Sequence, residues 1–169
     1  MPWSDPEDWE VGQLVTAAKM NAQVRDNLRY LLNRQTVIKN INEAANYTTS
    51  SGTWGDVDSV DLSATLTPKT NYVKVGFQCI IEQTGASTGS TLLDITKDSV
   101  RVGGDDGLIG VRGGAITQPV GFTVKVPVTP GVATTFRIQW RTTNTGAVMY
   151  AGAGTSGLDV HPQFWVEEA

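Results

Sequence analysis

Through most of this chain apolar residues recur at every second position, and in one stretch alone they recur every three or four. The alternation begins near Tyr47. "TTFRIQWRT" places Phe136, Ile138 and Trp140 on one face, with Thr135, Arg137, Gln139 and Arg141 on the other. "FTVKVPV" does the same with Phe122, Val124, Val126 and Val128, and "VDLSATL" with Val60, Leu62, Ala64 and Leu66. "YVKVGFQCII" continues the pattern, and "TLLDI", "SVRV", "AVMY" and "PQFWVEE" are shorter candidates. A period of two belongs to a strand with one buried face. Clusters of Ser, Thr and Gly separate the runs at regular intervals. The chain therefore reads as about eight or nine strands of a mainly β, jelly-roll-like antiparallel β-sandwich.

The exception is "EVGQLVTAAKMNAQVRDNLRYLLNR", from Glu10 to Arg34. Thr16 is placed to cap a helix, because its hydroxyl accepts from the unpaired N–H groups of a first turn. Ala17, Met20, Val24, Leu28, Leu31 and Leu32 follow at helical spacing. Lys19, Asn21, Gln23, Arg25, Asp26, Asn27 and Arg29 make the polar opposite face. In "QTVIKNIN" the β-branched Thr36, Val37 and Ile38 weaken the propensity, and the helix is expected to fray there. Ahead of it, Trp3 and Trp9 stand among Asp5, Glu7, Asp8 and Glu10. The expected organisation is a docking arm and one amphipathic helix in residues 1–45, then a β-domain in residues 46–169.

An amphipathic helix must cover its apolar stripe. One reading packs it on its own β-domain, and the other packs it on copies of itself around a symmetry axis. The stripe is too short for the three or four heptads that signal a coiled coil independently, so spacing leaves both readings open.

Charge and cysteine usage narrow the function classes. The chain of 169 residues carries a formal net charge of -4 and no cluster of Lys and Arg, which argues against nucleic acid as a partner. No apolar stretch approaches the ~20 residues of a bilayer-crossing helix, so membrane insertion is not expected. Acidic residues open the chain where a secretory signal has basic ones, and synthesis in a cytosol is the expectation. On that route the "NYT" at Asn46 has no glycosylation consequence. Cys79, the single cysteine, lies inside an apolar run and reads as a buried, inert thiol.

The motifs that could carry chemistry are weak. "GAGTSG" sets Gly152, Gly154 and Gly157 at dinucleotide-loop spacing, but "LDVHPQFWVE" follows where that motif needs a helix. Asp56, Asp58 and Asp61 in one run, and Asp105 with Asp106 in another, are candidate calcium ligands; beside glycines they read first as turn residues. His161, the single histidine, directly precedes Pro162 and has no nucleophile elbow or zinc motif with it. No enzyme activity and no cofactor are expected.

The twenty residues from Trp9 to Leu28, "WEVGQLVTAAKMNAQVRDNL", resemble an N-terminal signature of structural proteins from tailed bacteriophages. "FRIQWRT", "GAVMYAGAGTSG" and "HPQFWVEE" are similar in pattern to the ends of small phage fibre and virion proteins, which are often trimeric jelly rolls. The resemblance implies a virion structural protein, a tail-fibre type of appendage or a capsid decoration, made in the host cytoplasm. It implies a homotrimer and contact with other capsid or tail proteins. Trp3, Trp9, Leu14, Met20, Val24, Leu28 and Leu31 are then the oligomer and docking residues, tryptophan burying much area with few rotamers to freeze. The alternative is a module that binds a host surface glycan or receptor. For that role Tyr72 and Tyr150 are the surface aromatics, whereas Trp140, Phe164 and Trp165 lie in strand patterns that look at least partly buried.

Overall fold

The computed structural model describes residues 8–154 and 159–169, and the chain forms two compact units, Met1–Gln35 and Thr36–Ala169. In the first unit the expected helix is present as α1 (Ala17–Met20), a π-helical stretch over Asn21–Asp26, and α2 (Asn27–Leu32). Thr16 caps it as its sequence position suggested, its Oγ1 accepting the Lys19 N–H at 3.2 Å. The π-helical stretch was not legible in the spacing. Each i→i+5 bond widens the turn, a feature found frequently at functional places in helices.

Among its described residues the second unit holds ten strands: β1 (Thr36–Asn40), β2 (Tyr47–Thr49), β3 (Gly55–Asp56), β4 (Ser63–Leu66), β5 (Tyr72–Lys97), β6 (Val100–Arg101), β7 (Ile109–Arg112), β8 (Ile116–Pro127), β9 (Thr134–Met149) and β10 (Gln163–Glu168). Every pairing between them is antiparallel. The first part of β5 lies between β8 and β10, and β1 closes that layer on the far side of β10. From Ile81 onward β9 takes the place of β10, while β8 stays paired as far as Gln83 and is followed on its side by β7 and then β6. The outer edge of β9 carries β2, β3 and β4. Its 26 residues would span roughly 85 Å as one straight strand, so β5 must bend to serve both layers. A register shift between Gly85 and Ser90 marks an irregularity in that path. In the resulting sandwich β4 of one layer lies against β1 and β10 of the other.

The core follows from the alternation. Val73, Val75, Phe77 and Ile81 of β5 face inward, as do Leu93 and Ile95 farther along the same strand. They meet Phe136, Ile138 and Trp140 of β9, Phe164 and Val166 of β10, and Leu62, Ala64 and Leu66 around β4. Burial of each large aliphatic or aromatic side chain stabilises by about 1.5–3 kcal/mol. The expected mainly β, jelly-roll-like sandwich with one N-terminal helix is the fold observed.

Some expectations need correction. Residues 36–40 do not fray from the helix; they form β1, with Thr36 opposite Glu167, Ile38 opposite Trp165 and Asn40 opposite Gln163. The β-branched residues that weaken a helix are the ones that fit a pleated surface. The compact units divide after Gln35, so this strand belongs to the second of them. "YVKVGFQCII" and "TLLDI" belong to one strand, as do "TTFRIQWRT" and "AVMY". Val60 stands outside β4 and is exposed, in a turn where Asp58 Oδ1 accepts the N–H groups of Val60 and Asp61, each at 2.7 Å.

Candidate functional site

Two regions carry features beyond packing, one in each unit. In the first unit Trp9, Leu14, Met20, Val24, Leu28 and Leu31 are all exposed, and so are Val11 and Val15. Leu14 is 79% exposed and Leu28 53%. Trp3 lies outside the described residues. An exposed run of large aliphatic groups on one short segment is what water disfavours and a partner covers.

The second region is the outward face of β9, β5 and β6. Arg137, Gln139 and Arg141 alternate outward along β9, opposite Thr96, Asp94 and Leu92 of β5. Two guanidinium groups lie over the Trp54 ring, Arg101 at 4.6 Å and Arg141 at 5.2 Å from its centroid. Such cation–π contacts stabilise by roughly 0.5–2 kcal/mol each, more as water is excluded. Arg141 Nη2 also donates to the Asp105 carbonyl at 3.1 Å and to Asp106 Oδ1 at 3.4 Å. One step along, Asp56 accepts from Gln139 Nε2 at 2.8 Å and from Arg137 Nη1 at 3.5 Å.

Beneath this layer Asp94 is wholly buried. Its Oδ1 accepts the N–H groups of Ile95 at 2.7 Å and Gly103 at 2.9 Å, and its Oδ2 lies 3.5 Å from Arg101 Nη1. Burial raises the Asp94 carboxyl above its ordinary pKa, while the N–H groups of Gly103 and Ile95 and the Arg101 charge pull the other way. The loop between β6 and β7 covers it at close range, which is why "GGDDG" needs its glycines. A β-carbon at Gly107, where φ is +73°, would meet the Leu93 carbonyl oxygen at 2.5 Å and Trp54 at 2.7 Å.

This arrangement accounts for the acidic runs. Asp56 is engaged by Gln139 and Arg137, Asp58 caps its turn, and Asp106 pairs with Arg141. Among the described residues no three His, Cys, Asp or Glu side chains come together as metal ligands do. Cys79 is buried as expected, and burial pushes its thiol pKa up, the reverse of an activated nucleophile. It lines a surface groove of about 480 Å³ with His161, whose Nδ1 lies 3.0 Å from the Ile41 carbonyl oxygen. Asn46 has a structural part, its Oδ1 accepting the Ala151 N–H at 3.0 Å.

Of the surface aromatics, Tyr72 is exposed, with Lys125 Nζ 4.3 Å from its ring centroid. Tyr150 is not a surface residue: it is buried and its hydroxyl donates to Glu82. Trp140 and Phe164 are buried and Trp165 half-buried, in keeping with their strand patterns. Gly157 of the glycine run falls outside the described residues, and among the described residues between it and β10 there is no helix. Alternation in the sequence places Arg137 and Arg141 on the strand face opposite Phe136, Ile138 and Trp140, but it does not bring Trp54 and Arg101 to them. The available signal was arginine at alternate positions of one strand.

Among solved structures, the infectious bursal disease virus VP2 subviral particle is similar over 80% of this chain and 37% of that one, at 14% identity and a TM-score of 0.41. This chain thus spans well under half the length of that protein. No family model matches the chain, and no curated protein matches it.

Proposed function

We propose that this chain is a non-enzymatic structural protein of a tailed-bacteriophage particle, a tail-fibre type of appendage or a capsid decoration. The N-terminal unit mounts it and brings copies together, and the β-unit projects outward. The observation that carries this reading is the set of exposed apolar residues, Leu14, Met20, Val24, Leu28 and Leu31, on a compact unit separate from the β-domain. They fall in or beside the stretch that resembles the phage signature. The β-unit supports the same division of labour, because its core is built from its own residues, Val37 onward.

Three copies around an axis is the arrangement proposed, with Trp3 and Trp9 anchoring on a neighbouring capsid or tail protein. Light scattering behind a sizing column tests it, on the full chain and on a version beginning at Gln35. A trimer that becomes a folded monomer on truncation is the expected result. A full chain that stays monomeric at high concentration counts against self-association and leaves the stripe to a different partner on the particle.

A further inference from the structure

We infer that the outward face of β7, β5 and β9 is a binding site for an acidic saccharide, its anionic group held by Arg112 and Arg141. The site does not rest on the mounting role of the N-terminal unit. Two rows of the ladder build it. Arg112, Ser90 and Thr143 stand opposite one another in the first row, and Gly110, Leu92 and Arg141 in the next. Neighbouring strands lie ~4.8 Å apart, so each row presents about 10 Å of surface, the size of one sugar ring with its substituents.

These six residues line a cavity of about 410 Å³, completed by Val111 and Asp106. Leu92 leans over Gly110, where a β-carbon would come within 2.7 Å of Leu92 Cδ2. The floor is thus aliphatic, the walls are two guanidinium groups, and the corners are two hydroxyls. That is the division a pyranose with an acidic substituent asks for. Its CH face needs apolar contact, its hydroxyls need partners that both donate and accept, and its anion needs forked N–H donors.

The two arginines are differently prepared. Arg141 is held in place by the Trp54 ring and by the Asp105 carbonyl oxygen, and its buried Nε has no hydrogen-bond partner. Arg112 is exposed at the rim. Asp106 already draws Arg141 Nη2 at 3.4 Å, but its side chain is 91% exposed, so an incoming anion exchanges with it at little cost. On a chain of net charge -4, a pair of arginines beside an aliphatic side chain is a local exception.

The test is a titration of the full chain, following backbone amide shifts of Ser90, Arg112 and Thr143. The probes are glucuronate, glucose 6-phosphate, glucose and inorganic phosphate. Glucuronate or glucose 6-phosphate, or both, should move these amides, and whichever does assigns carboxylate or phosphate as the anion. Arg112→Ala should weaken that binding about 10-fold, as loss of a charged hydrogen bond does, and added salt should weaken it further. Asp106→Asn, which removes the competing carboxylate at an exposed position, should tighten it roughly 2-fold. Glucose binding as well as the acids, or shifts that persist at full strength in Arg112→Ala, would overturn the assignment. So would inorganic phosphate binding as tightly as glucose 6-phosphate, since the sugar would then contribute nothing.

Discussion

Trp165 lies so closely across Gly76 that a β-carbon at residue 76 would overlap Cε2 and Cζ2 of the indole. The two stand opposite each other in the β10–β5 ladder, with Ile38 of β1 on the far side of Trp165. Gly76→Ala therefore has to displace the indole or shift a central strand. The expected cost is about 1–3 kcal/mol, the usual range for overpacking. Urea denaturation measures it, and a red-shifted tryptophan emission would show where the ring has gone.

Asp94 ties stability to pH. Its pKa is raised in the fold, so the folded chain holds the proton more tightly than the unfolded chain does. Its contribution is thus fully present below the unfolded carboxylate value, near 3.9, and is lost as pH rises through the raised folded value. The stability of wild type relative to Asp94→Asn should fall as pH climbs through that window. Paired urea melts across it would read the difference, with the other carboxylates cancelling. A flat difference would mean that the Arg101 charge and the two N–H groups fully offset burial.

Gly107→Ala should destabilise by roughly 1–3 kcal/mol, because residue 107 has positive φ and no room for a β-carbon. The larger interest is local. Moving this loop should release Trp54 from Arg101 and Arg141, visible as loss of protection at the arginine N–H groups by NMR. If those signals are unchanged, the loop does not hold the cluster together.

The jelly-roll-like sandwich was legible in the sequence because "TTFRIQWRT" and "FTVKVPV" alternate cleanly, and one buried face forces that alternation. Thr16 was legible as a cap because capping needs one hydroxyl at one position. β1 was not, since "TVIKN" follows a helix without a break and its partner strand lies at the other end of the fold. Nor was the length of β5, because period two says nothing of which neighbour a strand takes as it passes from one layer to the next. The arginine cluster escaped for a related reason. Arg101, Arg141 and Trp54 meet only through the pairing of β9 with β5 and of β5 with β6, and in the chain they are far apart.

Changing Val24 and Leu28 together to Asp should abolish self-association while leaving the circular dichroism of the β-unit intact. Both side chains are exposed, so two carboxylates cost little in the separate chain and much in a covered stripe. An oligomer of unchanged mass by light scattering would put the contact elsewhere.

Cys79 should be silent to thiol reagents in the native protein and react at once in denaturant, because burial both hides the thiol and disfavours the thiolate. Fast native labelling would mean that this part of β5 opens readily.

The pairing of β1 with β10 governs the order of events during synthesis. Asn40 and Gln163, hydrogen-bonded side chain to side chain across that ladder, are 123 positions apart in the chain. When β1 leaves the ribosome its partner has not been made, and it stays an open edge until nearly the whole β-unit has followed. Closure of the first layer therefore waits on almost the whole β-unit, is slow in the manner of long-range β pairing, and is exposed meanwhile to capture by chaperones or by strands of sister chains.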